Sequence, residues 1–457
     1  MVTGAWYRWG CLQMREYKVR DPIHGFVRYD RHEKRIIDSP PVQRLRHIHQ
    51  LATTFLVYPG ATHRRFEHSL GVMDLASRVY EVIISHCGDL PGGLVPNDES
   101  ERDYWHRVVR LAALLHDIGH LPFSHAAEKE LLPPECSHET MTVKLIESLT
   151  DRLNSLTPPI RALDVAKVAV GPKVLRDQTF NAWEEVLSEI ITDDALGADR
   201  MDYLLRDSHH LGVAYGHFDL PRLVSEIRVL PRTHGSKELA LGLKEGGCHA
   251  AEGLQLARYF MYTQVYFHPV RRSYDMLLKE FLLHWLGGPL ATDLTLFLAV
   301  TDNEVLAAIR LAAADKDQPG HETARRFCER KHYRRLYAWN AGDARQRPDI
   351  VEVIHQEATR KFGAADVRLD AYPAKDSTVD FPVRLADGRV VSSASVSDVF
   401  SRVPPAKFEF VFVAPDCVEA ADRWLQNTLQ TILPEKGGLS DESVGTQRHV
   451  AGPDCPA

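Results

Sequence analysis

The stretch Leu111–His125, LAALLHDIGHLPFSH, decides how the rest of the chain is read. It opens as an apolar helix, with Leu111, Leu114 and Leu115 among alanines, and runs straight into His116-Asp117. Two adjacent polar ligands at the end of an apolar helix cost free energy on burial unless something binds them. Gly119 and Pro122 then break the helix, and two more histidines, His120 and His125, follow. This is the pattern of a metal site whose remaining partners come from elsewhere in the chain.

At 457 residues the chain exceeds one ordinary core, so a main domain with a smaller lobe is expected. A hydrophobic content of 44% with 26% charged residues is ordinary for a soluble globular protein. The net charge of -7 gives no general pull toward nucleic acid or acidic membranes. The 23 histidines are the compositional oddity, because imidazole is the commonest metal ligand and a base poised near neutrality. Seven scattered cysteines, never in a C-x-x-C pair, argue against a disulfide framework and a cysteine-type zinc site. The opening MVTGAWYRWG lacks the charged-then-apolar order of a signal peptide, and no apolar run approaches the ~20 residues of a membrane span. A soluble, cytoplasmic protein without a membrane partner is expected.

Working outward, the segment around Asp21-Pro-Ile-His-Gly25 is flanked by β-formers and predicts a small hairpin. VQRLRHIHQLATTF spaces Val42, Leu45, Ile48 and Leu51 as one helix face. FEHSLGVMDLASRVYEVIISH follows as a helix with Leu70, Met73, Ala76, Val79, Tyr80 and Ile83 as its apolar stripe. Further helices are predicted over SHETMTVKLIESL with Val143 and Ile146 inward, within 183–210, and over FDLPRLVSEIRV; LALGLK reads as a short strand. Residues 250–286 read as one or two long helices interrupted at His268-Pro269. Helical stretches near 291–313 and 320–338 precede alternating segments, VVSSASV and KFEFVFVAP, that look like strands. The expected fold class is mainly α, an all-helical core with a smaller mixed α/β C-terminal lobe. Its expected divisions are an extension at 1–16, a core at 17–285, the lobe at 286–434 and a disordered tail at 435–457.

His68 in RRFEHSL, His116-Asp117 in LLHDIGH and Asp199 in LGADRMDY place metal-ligand types beside structured elements, in the order H…HD…D on successive helices. Imidazole and carboxylate together suit Mn, Mg, Fe, Ni or Zn without selecting among them. On the helix ADRMDYLLRDSHH, Asp199, Tyr203, Arg206/Asp207 and His210 share one face, while Met201 and Leu205 point into packing. Arg258 and Tyr266 also share a helical face.

The H…HD…D order resembles the HD-domain phosphohydrolase superfamily. DPIHG, the QRLR-x-I-x-QL run, PGA-x-H-x-RFEHSLGV, HDIGH-x-PFSH and DRMDYLLRD narrow the resemblance to its dNTP triphosphohydrolase branch, in the compact bacterial form without a sterile-α-motif module. The resemblance covers about Lys18 to Ser273 and implies metal-dependent hydrolysis of a dNTP to deoxynucleoside and inorganic triphosphate. It implies His68, His116, Asp117 and Asp199 as metal ligands, and His120, His125, Glu128 and His138 as the acid/base group. His125 is the expected acid, charged by Glu128, which stands where the family commonly has Asp. Substrate contacts implied are Gln50, Leu51, Arg65, Arg200, Tyr203, Asp207, Arg258 and Tyr266, with Asp207 on the 3′-hydroxyl and the arginines on phosphate. Lys18, Asp38, Gln43, Arg46 and Arg228 match positions that bind an activating nucleotide (dGTP or GTP) at a subunit interface, and Ala338 departs from that set. An allosteric homo-oligomer, dimer or homotetramer, is therefore expected. The alternatives are another HD-type phosphohydrolase, a nucleotidase or phosphodiesterase, or a nucleotide-sensing or nucleic-acid-binding regulator with a vestigial site.

Overall fold

The computed structural model describes residues 16–433 apart from 91, 125–127, 129–131, 134–135, 234, 289–292, 373–379 and 405–406. The expected tail at 435–457, nearly all of the expected extension at 1–16, and His125 lie outside the described residues. The hairpin forms as predicted from β1 (Tyr17–Asp21) and β2 (Gly25–Tyr29). They pair antiparallel from Tyr17 opposite Tyr29 to Asp21 opposite Gly25. Asp21 Oδ1 accepts the backbone N–H groups of Ile23 and His24, each at 2.8 Å, and Gly25 at φ +80° closes the turn.

Two short helices follow, α1 (Arg31–Ile37) behind an Asp30–Glu33 capping box and α2 (Pro40–Arg44). The longer helix expected over residues 42–55 does not form. A 3₁₀ turn covers Leu45–His47, His49 bridges to Arg64, and a second 3₁₀ turn covers Ala52–Leu56. Periodicity was overridden here by tertiary bonding: the His49 N–H is taken at 2.7 Å by Asp302, far along the chain, and Ile48 O accepts Arg65 N–H.

The centre of the molecule is α3 (Arg65–Ser85), packed against α4 (Glu99–Leu115). Leu70, Met73, Ala76, Val79, Tyr80 and Ile83 are buried as predicted, but so are Val72 and Leu75 on the other side. A helix apolar on both sides sits inside a core rather than on its surface. Around this pair lie α5 (His138–Ser148), α6 (Ala162–Val170), α7 (Ala182–Thr192), α8 (Ala198–Leu211) and α9 (Leu220–Glu226). On α5 the buried apolar residues are Met141, Leu145 and Ile146, with Val143 half-buried. The helical reading of FDLPRLVSEIRV stops at Glu226: Ile227–Pro231 is strand β3, antiparallel to β4 (Leu239–Lys244), the strand predicted at LALGLK.

The long helical segment is α10 (Cys248–Met261), one π turn at Tyr262–Tyr266, and α11 (Pro269–Leu286), broken at His268-Pro269 as expected. Then come α12 (Leu294–Ala299), α13 (Asp302–Ala314) and α14 (His321–Cys328). Arg334–Ala338, expected to be helical, is strand β5. The rest comprises α15 (Ile350–Phe362), β6 (Val367–Tyr372), β7 (Pro382–Arg384), β8 (Val390–Ser392), β9 (Phe408–Val413) and α16 (Val418–Ile432). Strand order β5-β9-β6 makes one antiparallel sheet, covered by α15 and α16 over a small core of Ile350, Ile354, Val411 and Leu425. The fold class is therefore mainly α with smaller sheets toward the C-terminus. β4 pairs in parallel with β7, so one four-stranded sheet joins residues from both sides of the expected 285/286 division.

One half-buried histidine predicts acid behaviour. His106 on α4 stacks on Tyr80 at 4.9 Å, and its Nε2 lies 2.7 Å from Ser77 Oγ. Burial, then the Arg110 guanidinium, takes its pKa from 6.5 down to about 3. The unfolded state binds this proton first, so the stabilisation is complete above pH 6.5 and is lost as pH falls toward 3. In denaturant titrations across that range, His106→Gln should show a shallower acid decline than wild type; parallel curves would refute the assignment.

Candidate metal centre and its pocket

His116 and Asp117 follow the last turn of α4, so both project from a helix end rather than from its buried flank. α3 contributes His68 and α8 contributes Asp199. Nε2 of His68 lies 3.1 Å from Asp199 Oδ1 and 3.6 Å from Asp117 Oδ2. Nε2 of His116 lies 3.6 Å from Asp199 Oδ1 and 3.3 Å from Asp117 Oδ1. His68, His116 and Asp199 thus place ligand atoms within 4.8 Å of one another, and Asp117 adjoins both imidazoles through different oxygens. The two Nε2 atoms are buried and make no hydrogen bond, while the opposite ring nitrogens are held by Asp202 Oδ2 and Ala113 O, each at 2.7 Å. Two orphaned imidazole nitrogens facing two carboxylates fit a divalent cation.

The electrostatics of the cluster are those of crowded opposite charges. Burial disfavours the His68 imidazolium, but Asp199, Asp202 and Asp117 outweigh it and raise its pKa to about 10. Burial would raise Asp117, yet the Arg65 guanidinium bonded to it, with His116 and His120, holds it well below the usual carboxylate range. Asp199 is likewise held low, against burial, by His116 and His68.

Beside the cluster, His120 stacks on His138 with ring centroids 4.1 Å apart, and its Nε2 lies 3.2 Å from Asp117 Oδ1. Burial, then Arg65 and His138, keep His120 well below the ordinary imidazole value. His138, at the start of α5, has its Nδ1 2.7 Å from Glu128 Oε1, which also accepts the His138 N–H at 2.8 Å. This raises His138 despite its burial. Glu128 was expected to charge His125, which lies outside the described residues; among the described residues its carboxylate meets His138.

The residues expected to contact substrate come mainly from α8, α10 and the π turn. Tyr266 donates to Asp207 Oδ2 at 2.7 Å, and the rings of Tyr203 and Tyr266 meet edge-on at 6.2 Å. Asp207 Oδ1 lies 2.8 Å from Nε2 of His63, which stacks on His210 at 4.4 Å. Gln50 is buried with its Oε1 unbonded, and its backbone N–H donates to His63 O, so Gln50 adjoins the His63–Asp207 contact. Arg200 and Arg258 each bury an Nη1 atom that makes no hydrogen bond, and both guanidinia bear electrostatically on Tyr203. Arg65 bonds Asp117 through Nη1 and Ser124 Oγ through Nε at 2.9 Å. Arg206, grouped by spacing with the pocket face, is instead turned into the core: it binds Asp202 at 2.8 and 2.9 Å and Asp21 at 2.9 Å.

The residues expected to bind an activator lie elsewhere. Asp38 ends α1 in an ion pair with Lys34, Gln43 donates to Ile37 O, and Arg46 bonds Gln43 while covering the Phe66 ring. Lys18 lies over Phe26 on the hairpin. Arg228 is buried on β3, donating to Ser225 O and Ile227 O. Ala338 sits in β5 opposite Phe410.

Comparison with known proteins agrees with this geometry. Residues 65–207 match the HD domain, and residues 218–370 match the HD associated region. Residues 65–207 of the chain are therefore an HD domain. It is similar to the uncharacterised protein YwfO of Bacillus subtilis, 39% identical over 59% of this chain and 56% of that protein. It is also similar to the deoxynucleoside triphosphate triphosphohydrolase SAMHD1 of Bos taurus, 31% identical over 60% of this chain and 48% of that protein. The chain spans about half the length of the curated relatives it matches. A hypothetical protein from Aquifex aeolicus of known crystal structure is 32% identical with a TM-score of 0.74, over 90% of this chain and 100% of its own. A phosphohydrolase from Bacteroides thetaiotaomicron shares the fold at 23% identity, with a TM-score of 0.68 over 88% of this chain and 100% of its own.

Within this HD domain the glycine of HDIGH has a steric role. A Cβ on Gly119 would stand 2.1 Å from His138 O and 2.4 Å from Thr142 N, both backbone atoms of α5. Its N–H donates to Thr142 Oγ1 at 3.1 Å, and that hydroxyl donates to His116 O at 3.0 Å. Gly119→Ala should therefore cost about 1–3 kcal/mol by overpacking and shift the HD turn away from α5. Thermal melting with Mn²⁺ titration checks this, and a variant equal to wild type in both would refute it.

Several residues of the site had no role assigned from the sequence. Asp202, His24 and His63 stand inside the quoted motifs DRMDYLLRD, DPIHG and PGA-x-H-x-RFEHSLGV, but what they bind is seen only when the fold brings them to His68 and Asp207. Asp302 accepts from His49 N–H and from Phe123 N–H at 2.7 Å each, and its Oδ2 lies 2.5 Å from His49 Nδ1. It thereby holds the loop in which Phe123 and Ser124 both sit at φ +56°. Among the described residues, no helix is long and apolar enough to cross a membrane.

Proposed function

We propose that this protein hydrolyses deoxynucleoside triphosphates to deoxynucleoside and inorganic triphosphate. The observation that carries the reading is the pair of unbonded, buried Nη1 atoms of Arg200 and Arg258 beside the four-donor cluster and the Tyr203–Tyr266–Asp207 pocket. Cationic nitrogens suit a polyphosphate, and a tyrosine pair with a fixed carboxylate suits a sugar bearing one free hydroxyl. The similarity to SAMHD1, itself named a deoxynucleoside triphosphate triphosphohydrolase, supports the same substrate class.

His68, His116, Asp117 and Asp199 would hold the divalent cation (Mn, Mg, Fe, Ni or Zn). When bound, it supplies Lewis-acid polarisation of a phosphoryl oxygen and activation of water. Arg200 and Arg258 bind the phosphates, while Asp207, steadied by His63 and Tyr266, receives the 3′-hydroxyl, with Gln50 and Leu51 at the same end. Arg65 orients Asp117 from one side and reaches the phosphates from the other. The acid/base work falls to His120, His125 and His138 with Glu128: the departing 5′ oxygen takes a proton, and the expected donor is His125. Incubating the protein with Mn²⁺ and each dNTP in turn tests the reading. Inorganic triphosphate with deoxynucleoside is the expected product pair; release of pyrophosphate or phosphate would overturn it in favour of another HD-type phosphohydrolase.

An activating guanine nucleotide on Lys18, Asp38, Gln43, Arg46 and Arg228, within a dimer or homotetramer, extends the same reading. Light scattering with and without GTP or dGTP tests it, and a mass and turnover unchanged by either nucleotide would remove it.

A further inference from the structure

We propose that Asp202 is the positioning residue of the metal centre, and that it ties the turn of the N-terminal hairpin to the ligand His68. This rests on the metal reading given above. Asp202 lies on α8, three residues after Asp199, and its side chain is 0% exposed, as are those of His24, His68 and Arg206. Its two oxygens serve three partners. Oδ2 is 2.7 Å from His68 Nδ1 and 2.8 Å from Arg206 Nε; Oδ1 is 2.6 Å from His24 Nε2 and 2.9 Å from Arg206 Nη2.

This arrangement selects one orientation of the His68 ring. A carboxylate at Nδ1 takes the ring proton there and leaves Nε2, the atom facing Asp199 and Asp117, as a lone-pair donor. His24 in the Asp21–Gly25 turn and Arg206 anchor that carboxylate from two further directions. Arg78 Nη2 lies 2.7 Å from the other His24 nitrogen, and Arg206 Nη1 reaches Asp21 Oδ2. The turn, α3 and α8 are thus joined through one carboxylate. Space for it is provided by Gly71, where a Cβ would stand 2.2 Å from both Arg206 Nη2 and Asp202 Oδ1. Such outer hydrogen bonds to a ligating imidazole are worth roughly 10–100-fold in metal affinity.

The test is Mn²⁺ titration of the full chain, with the visible spectrum of the Co²⁺-loaded protein as a second readout and thermal melting as the folding control. Asp202→Asn should bind Mn²⁺ about 10–100-fold more weakly and shift the Co²⁺ bands while still melting cooperatively. His24→Gln, which leaves the His68–Asp202 contact in place, should give a smaller loss in the same direction. Wild-type Mn²⁺ affinity and an unshifted Co²⁺ spectrum in a folded Asp202→Asn would overturn the proposal. Should Asp202→Asn fail to fold, His24→Gln with unchanged affinity and spectrum would overturn it instead. A wild-type chain that binds no Mn²⁺, or a His68→Ala chain that binds it undiminished, would bring down the metal reading itself.

Discussion

Replacing His116 and Asp117 together by alanine should abolish Mn²⁺ binding and lower dNTP turnover by at least about 10³-fold. Lewis-acid stabilisation is worth several kcal/mol of barrier, and each 1.4 kcal/mol is tenfold in rate. The variant removes His116 and the adjoining Asp117 and leaves His68 and Asp199, too few to enclose a cation. It also strips the buried Arg65 guanidinium of its carboxylate partner, and an uncompensated buried charge costs about 3–5 kcal/mol. Asp117→Asn, which keeps an oxygen for Arg65, should lose most of the activity with much less of the stability. Calorimetry, Mn²⁺ titration and triphosphate release measure the three quantities. Undiminished turnover in the double variant would refute the metal assignment outright.

Asp302→Ala should be as damaging although Asp302 lies beyond the long helical segment and touches none of the four donors. Its carboxylate is the acceptor for the buried N–H groups of His49 and Phe123 and lies against the His49 ring. Each buried donor left without a partner costs about 1–3 kcal/mol, so a loss of at least about 3 kcal/mol is expected. The loop after HDIGH would also be freed. Phe123 and Ser124 occupy a backbone region costly for side-chain-bearing residues, and bonds such as these are what hold them there. Ser124 in turn bonds Arg65, the partner of Asp117. Turnover should fall with stability, and hydrogen exchange at Phe123 should accelerate; wild-type exchange with wild-type turnover would refute this role.

The sequence was most informative where chemistry constrains local order. HDIGH requires a helix end, two ligands and a residue without Cβ against α5, and these lie within five letters. The apolar stripe of α3 was legible from its 3.6-residue period, but the burial of Val72 and Leu75 on its other side was not. Where both faces are buried, or where a segment is short, the period carries less. Arg334–Ala338 read as helix but pairs with β9, since strand pairing over five residues is decided by the partner and not by the segment. Residues 42–55 were misread for the related reason that a remote carboxylate competes for the backbone donors a helix would use.

Arg206 makes the division plain. Helical geometry sets Asp199, Tyr203 and Asp207 on one face of α8, because rotation per residue is a local property of the backbone. It assigned Arg206 to the same side, whereas the side chain is drawn inward to Asp202 and Asp21. Local order thus specified the helical class and the polar face of α8, and it marked the candidate donors His68, His116 and Asp199 that the fold brings together. Which groups hold those donors in place, Asp202 for His68, His63 for Asp207 and Asp302 for the loop after HDIGH, was decided only on folding, because each is a contact between segments far apart in the chain.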